Sequence, residues 1–351
     1  MRLSLIMLSV GVAALTAPVQ AQNLSEAQLQ AEAMAKDPDF HALAFKPGDT
    51  GRMHQDFVVT TAKTDEDGKT TTVKIDSGYD LTYTKNDDGY DVTKTSNGGK
   101  LLAFDSPDAP SGSPQAALIA GMASMGSLPS SLNYQADDDM LPVRLSDWPG
   151  FKANLLQKMR DLYVKAGAPQ SAIDPVMQAS ALAMDQFSAE TAPRAFMAGD
   201  VLISTPHNIG LILNKPLVAN GQVASPIGNV MLDATDKLEL TVWDAANNHA
   251  HVTYDFAPTP EGMKNFLLNG MPSFLKQMGA PDDVIEDYKT SAAAASPETL
   301  MDVSTHCDFD VAIDTGFVSK GTCVKAATIT LAGHKAGKVE TYELSEAKAG
   351  S

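Results

Sequence analysis

His249 and His251 stand two apart in the stretch NNHAHVTYDF, and on a strand that spacing turns both imidazoles to one face, as metal centres require of paired ligands. A metal-dependent hydrolase would need a third ligand from His207 or His306, and spacing fixes neither. Asn247 and Asn248 precede the pair as a turn, which favours exposed strand-end histidines over a metal site. Acidic clusters at 65–67, 87–88 and 137–139 lack the spaced ligands and closing Glu of a calcium loop and read as turns. The chain has no GxSxG elbow, phosphate loop or HExxH pair, so no catalytic residue, metal or cofactor is assigned.

A longer pattern recurs. GFKANLLQKMRDLYVKAGAP at 150–169 and GMKNFLLNGMPSFLKQMGAP at 262–281 share Gly, Lys, Leu-Leu, Met and a final Gly-Ala-Pro. At helical spacing Phe151, Leu155, Met159 and Leu162 share a face in the first copy, as Met263, Leu267, Met271 and Phe274 do in the second. Gly167 and Gly279 fall where the helices stop, prolines follow, and Pro272 should kink or divide the second copy. The shared residues include no acid, base or nucleophile beyond one lysine. They encode packing, and their methionines suit an adaptable apolar surface.

These helices alternate with strand-rich regions. Thr-rich alternation after Gly51, broken by DEDG, NDDG and NGG turns, predicts antiparallel strands with one wet face. An uncharged stretch from Pro114 to Pro129 predicts a helix that is apolar or small on every side, and Asp174-Pro175 marks another helix start. Strands return at about 201–256, with AANN as a turn. Cys307 and Cys323 flank a hairpin whose loop is Asp314, Thr315 and Gly316; in that register Ile313 faces Phe317, Val311 faces Ser319, Phe309 faces Gly321 and the cysteines face each other as a disulfide. The hexapeptides AFKPGD (44–49) and AFMAGD (195–200) both precede strands and extend the duplication.

The expected fold is α+β: long antiparallel sheet, with an open half-barrel as one form, and duplicated helix-turn-helix segments packed on one face. The chain divides into a signal peptide (1–21), an N-terminal half (22–190) of helix, strands and helices, and a C-terminal half (191–351) of strands, helices and the disulfide-closed hairpin. Arg2, the apolar run to Leu15 and the small residues Val19 and Ala21 make the signal peptide, too short an apolar run to span a bilayer in the mature chain. Export to a periplasmic or secreted location suits a disulfide. The net charge of −17 disfavours nucleic-acid partners.

Gly199 and Asp200 in AFMAGD and the turn Asp314–Gly316 in AIDTGFV resemble the strand lead-in and final turn of a family of secreted bacterial β-rich domains of unknown function. The element order also looks similar to periplasmic lipoprotein and lipid carriers, open half-barrels with a helical lid. That resemblance and the apolar helices predict an exported, non-enzymatic protein that holds an apolar ligand or lipid between sheet and Met-rich helices. Leu118, Met122, Met125, Leu155, Met159, Leu267, Met271 and Phe274 are the expected lining. The alternatives are an envelope scaffold whose apolar helix docks a partner protein, and the His249/His251 hydrolase.

Overall fold

The computed structural model describes residues 36–107, 131–224, 231–277, 280–294, 301–331 and 334–349. The expected signal peptide (1–21) and the uncharged stretch with Leu118, Met122 and Met125 lie outside the described residues, as does the side chain of Phe274. Strands β1 (Phe40–Leu43), β2 (Thr50–Thr64), β3 (Thr70–Asn86), β4 (Gly89–Asp105), β5 (Ser131–Ala136) and β6 (Pro142–Leu145) come first. Helices α1 (Trp148–Lys165), α2 (Gln170–Met184), α3 (Ala192–Phe196) and α4 (Ala198–Ile203) follow. Then come β7 (Ile209–Ile212), β8 (Leu217–Ala224), β9 (Met231–Asp244) and β10 (His249–Pro258). Helix α5 (Pro260–Asn265), a π-turn (Phe266–Gly270), α6 (Met271–Gln277) and α7 (Asp282–Ala294) lead to β11 (Met301–Ala312), β12 (Val318–Leu331) and β13 (His334–Lys348).

The fold is α+β, as expected. One 11-stranded antiparallel sheet runs β6-β5-β4-β3-β2-β13-β12-β11-β10-β9-β8, open between its edge strands, and β1 pairs with β7 in a separate ribbon. The β2–β13 ladder joins the two ends of the chain. Period-2 alternation decides which face is covered: Ala250, Val252, Tyr254 and Phe256 of β10 are buried while His249, His251, Thr253 and Asp255 are only partly so. The same parity rule holds for Met301, Val303, Cys307, Phe309 and Val311 of β11. These inward side chains form one continuous core with Phe151, Met197, Leu202, Phe266 and Leu267 from the helical segments.

The first copy of the repeated segment is one helix. Asp147 caps it by accepting the Gly150 N–H, and Gly167 ends it at φ 77°. Thr259 does the same for Gly262 in the second copy. There Pro272 divides the helix, as predicted, and the means is the π-turn: a proline has no N–H to give the carbonyl four residues back, and the widened turn instead lets the Met271 N–H reach Phe266 O.

Three local expectations are corrected. Asp174-Pro175 does not start a helix; α2 begins at Gln170, and Pro175 is inside it, kept there by burial of Ile173, Met177 and Met184 on one face. The hairpin register holds for Cys307/Cys323 and Phe309/Gly321 but shifts at Asp310/Val311, so Val311 faces Val318 and the loop is wider. The bulge follows from docking of that loop: Asn248 accepts the Asp314 N–H, the Lys46 N–H reaches Thr315 O, and Gly316, at φ 75°, lies against the Ala44–Phe45 backbone. The hexapeptides take different local forms, AFKPGD lying in a loop and AFMAGD running through α3 and α4.

Candidate functional site

Strands β2, β3 and β13 on one side, and residues 195–200 on the other, enclose a cleft of ≈ 280 Å³. The ladders place its walls in rows: Val59 lies between Tyr342 and Ile75, and Thr61 stands opposite Glu340. Register shifts at Lys74/Ile75 and Ser77/Tyr79 fall along the lining strip of β3, and such bulges bend a sheet. Phe196 closes the helical side. It is fixed by Trp148, Phe151 and Phe187 at centroid distances of 5.5–5.6 Å, so α1 shapes the cleft through Phe196.

The floor is an ion pair. Lys94 Nζ donates to both Asp200 oxygens at 2.6 and 2.7 Å, with the Lys94 side chain 1% exposed and that of Asp200 4%. Its ammonium lies 4.0 Å from the Tyr79 ring centroid and 4.8 Å from that of Phe57. Gly199 packs against Phe57, and a Cβ there would stand a tight 3.3 Å from the ring. Burial pulls the Lys94 proton affinity down and Asp200 opposes it. The Tyr79 phenol is pushed up to about 12 by burial and by the Asp200 charge. An amine held by both carboxylate oxygens is not offered as a base or nucleophile.

A second buried pair joins β13 to the turn after α4. His207 Nε2 is 2.7 Å from Glu346 Oε1, and its Nδ1 is 2.6 Å from Asp139 O. A carboxylate and a carbonyl facing the two ring nitrogens favour the doubly protonated ring. Burial lowers the His207 pKa, but Glu346 and Asp139 outweigh it and the net direction is up. The Phe45 ring stacks on the imidazole at 3.8 Å, and the Val318 N–H also donates to Glu346.

His249 and His251 do share a face, the outer one, where both contact Asp310 Oδ1 at 3.0 and 2.9 Å. His306 bonds Asp255 at 2.6 Å, and Asp308 stands 3.4 Å from both His251 and His306. His207 is buried elsewhere. Among the described residues no group of three or more His, Cys, Asp or Glu side chains is arranged to hold a metal. Asp65 and Asp137 each accept backbone N–H groups two and four residues on, closing turns.

Of the expected lining residues, Leu267 and Met271 are buried in the core, Leu155 and Met159 pack partly buried against it, and none of the four lines this cleft. The residues that do line it left a signal: Lys94 shares the apolar parity of Tyr90 and Val92, and Glu340 that of Tyr342 and Leu344.

No family model matches this chain. No curated protein matches it either. A solved structure described as "Lipid-protein interactions in lipovitellin" aligns with 88% of this chain at 7% identity and a TM-score of 0.35. The chain spans 26% of that one's length. The disulfide between Cys307 and Cys323 is formed, and among the described residues no helix is long and apolar enough to cross a membrane.

Proposed function

We propose that this is an exported, non-enzymatic protein of the periplasm or the extracellular space that holds a small apolar ligand, or the end of a lipid chain, in the cleft between β2, β3, β13 and the α3–α4 segment. The observation that carries the reading is the cleft itself, whose lining includes the apolar side chains of Phe57, Val59, Ile75, Phe196, Met197 and Tyr342. Its ≈ 280 Å³ lies at the low end of the roughly 300–1,000 Å³ of small-molecule pockets, which favours a short chain or a small aromatic molecule.

The disulfide supports export, because such a bond persists in an oxidising compartment. The neutral fluorophore N-phenyl-1-naphthylamine tests the cleft. Saturable binding to the wild-type chain, weakened by about tenfold or more in Val59→Trp, is expected, since an indole in that row fills the space. Equal binding to the two proteins, with Val59→Trp correctly folded, refutes the site.

A further inference from the structure

The two edges of the large sheet are built differently. Edge strand β6 has four residues and opens on Pro142, which has no N–H to offer. Its ladder with β5 shifts register between Gln135 and Ala136, α3 packs against it, and the Leu145 N–H donates to Ala189 O. Short length, a proline, an irregular register and a covering segment all keep an edge from recruiting another strand.

Strand β8, at the opposite edge, shows none of these features. It runs eight residues, Leu217–Ala224, in unbroken register with β9, and among the described residues β9 is its only ladder partner. Alternate backbone N–H and C=O groups therefore point away from the sheet. Its sequence, LVANGQVA, holds no charge and no proline, whereas every other described strand of eight or more residues carries Lys, Arg, Asp or Glu. The uncharged run extends from Pro216 to Leu232 in a chain whose net charge is −17. On the outer face its polar side chains bond back to β9: the Thr235 hydroxyl donates to Asn220 Oδ1, and Gln222 Nε2 donates to Asp233 Oδ1. Val218, on the same face, is 46% exposed.

We infer that β8 pairs antiparallel with β8 of a second copy of this chain, joining two sheets edge to edge across a two-fold axis. Charge selects this occupant. Two chains of net charge −17 repel, and an uncharged edge lets their backbones approach without setting like charges opposite each other. The two-fold axis lets one patch serve both sides of the contact.

Continuity of the faces restricts the register. Residues paired in an antiparallel ladder share a face, so inward residues must meet inward ones and paired numbers must sum to an even value. Centring the pair on Asn220 sets Leu217 opposite Val223 and Ala219 opposite Gly221 on the inner face, with Val218 opposite Gln222 on the outer. That register ends where Pro216 has no N–H to contribute. The cleft lies on β2, β3 and β13, so the pairing is independent of what it holds.

Analytical ultracentrifugation of the full chain, disulfide intact, tests the pairing. Wild type is expected to be a reversible dimer with a dissociation constant of about 10 μM or tighter. Val218→Lys/Asn220→Lys changes two exposed positions, sets two ammonium groups opposite each other on the axis, and should weaken the dimer by about tenfold or more. Val242→Lys, at a valine 41% exposed on β9 beyond the β8 ladder, should leave it intact. Amide exchange of the wild type needs no variant: protection of the Leu217–Val223 amides should rise with protein concentration.

A wild-type chain that stays monomeric through that concentration range overturns the pairing. So does a dimer that the double lysine variant, correctly folded, forms as tightly as wild type. A dimer without concentration-dependent protection of β8 places the contact elsewhere, and a monomer whose β8 amides are already fully protected means that another segment of the same chain covers the edge; either result refutes the second copy as occupant.

Discussion

Removing one partner of the Lys94–Asp200 pair tests the buried charge at the cleft floor. In Lys94→Met the stem is kept and the ammonium lost, which leaves the Asp200 carboxylate, 4% exposed, without the two short hydrogen bonds it accepts. Desolvating an uncompensated charge costs about 3–5 kcal/mol, and the loss here should fall in that range because both side chains are almost wholly buried. At 1.4 kcal/mol per tenfold, a cost of about 3 kcal/mol lowers the folding equilibrium constant by roughly two orders of magnitude. Asp200→Asn strands the ammonium instead and should cost a similar amount, softened by the Tyr79 and Phe57 ring faces. The double variant Lys94→Met/Asp200→Asn leaves no buried charge, so its cost should fall short of the sum by about 2–3 kcal/mol. Urea unfolding followed by the fluorescence of Trp148 and Trp243, with circular dichroism as the second probe of two-state behaviour, measures all four proteins. Single variants that each lose less than about 1 kcal/mol, or strict additivity, would refute a charged pair buried from solvent.

Three further outcomes can be checked by the same unfolding measurements. Replacing both Cys307 and Cys323 by alanine opens a link across a separation of 16 residues and should cost about 3 kcal/mol; little change would mean that the bond does not form in the purified protein. Gly150 and Gly262, identical in the two repeats, should differ: a Cβ at Gly262 meets the Asp233 backbone of β9 and should cost about 1–3 kcal/mol, whereas at Gly150 it meets only the Asp147 carboxyl, whose displacement costs about one cap, ~1 kcal/mol. His207→Gln should cost about 3 kcal/mol at pH 6. Because the folded His207 pKa is raised above its unfolded value of 6.5, its contribution is fully present below pH 6.5 and is lost as pH rises through the folded value. The gap between wild type and His207→Gln should therefore narrow toward pH 9, and a gap independent of pH would mean the ring is neutral throughout.

What the residues announced and what they hid divide along a physical line. Alternation in β10 and β11 fixed the buried face, and the spacing of two cysteines around a Gly turn fixed their pairing, because both are local and periodic. The bulge at Asp310/Val311 was not legible, since it arises where the hairpin loop meets Asn248 and Lys46, partners distant in sequence. The same distance hid the cleft: Lys94 and Asp200 are 106 residues apart, and Asp200 read as the lead-in to a strand when it belongs to α4. The repeated helices drew attention because their spelling recurs, yet the positions they share secure caps, a stop and core packing. A charged residue at an apolar-parity position was the overlooked sign. Lys94, Lys325, Glu340 and Glu346 all show it.

Those four residues also lie close to one seam. Strand β13 carries Glu340 and Glu346, and it pairs with β2 in a ladder that reaches from Lys348↔Met53 to Gly337↔Thr64. Such a closure is set by neither a hairpin turn nor local sequence, and a slip of one residue would turn every side chain of β13 to the wrong face. Apolar parity alone penalises that slip weakly here, because β13 offers mainly Tyr342 and Leu344 to the core. The buried pairs penalise it strongly: Glu346 would lose His207 and the Val318 N–H, and Glu340 would leave Lys338 and Lys325 without their carboxylate. On this argument the ionic groups contribute less to net stability than to the choice of register. Replacing His207 and Glu346 together by leucine and methionine should then leave the urea midpoint within about 1–2 kcal/mol of wild type while broadening amide exchange across β2 and β13. Unchanged protection of that ladder would show that register is held by the apolar rows alone.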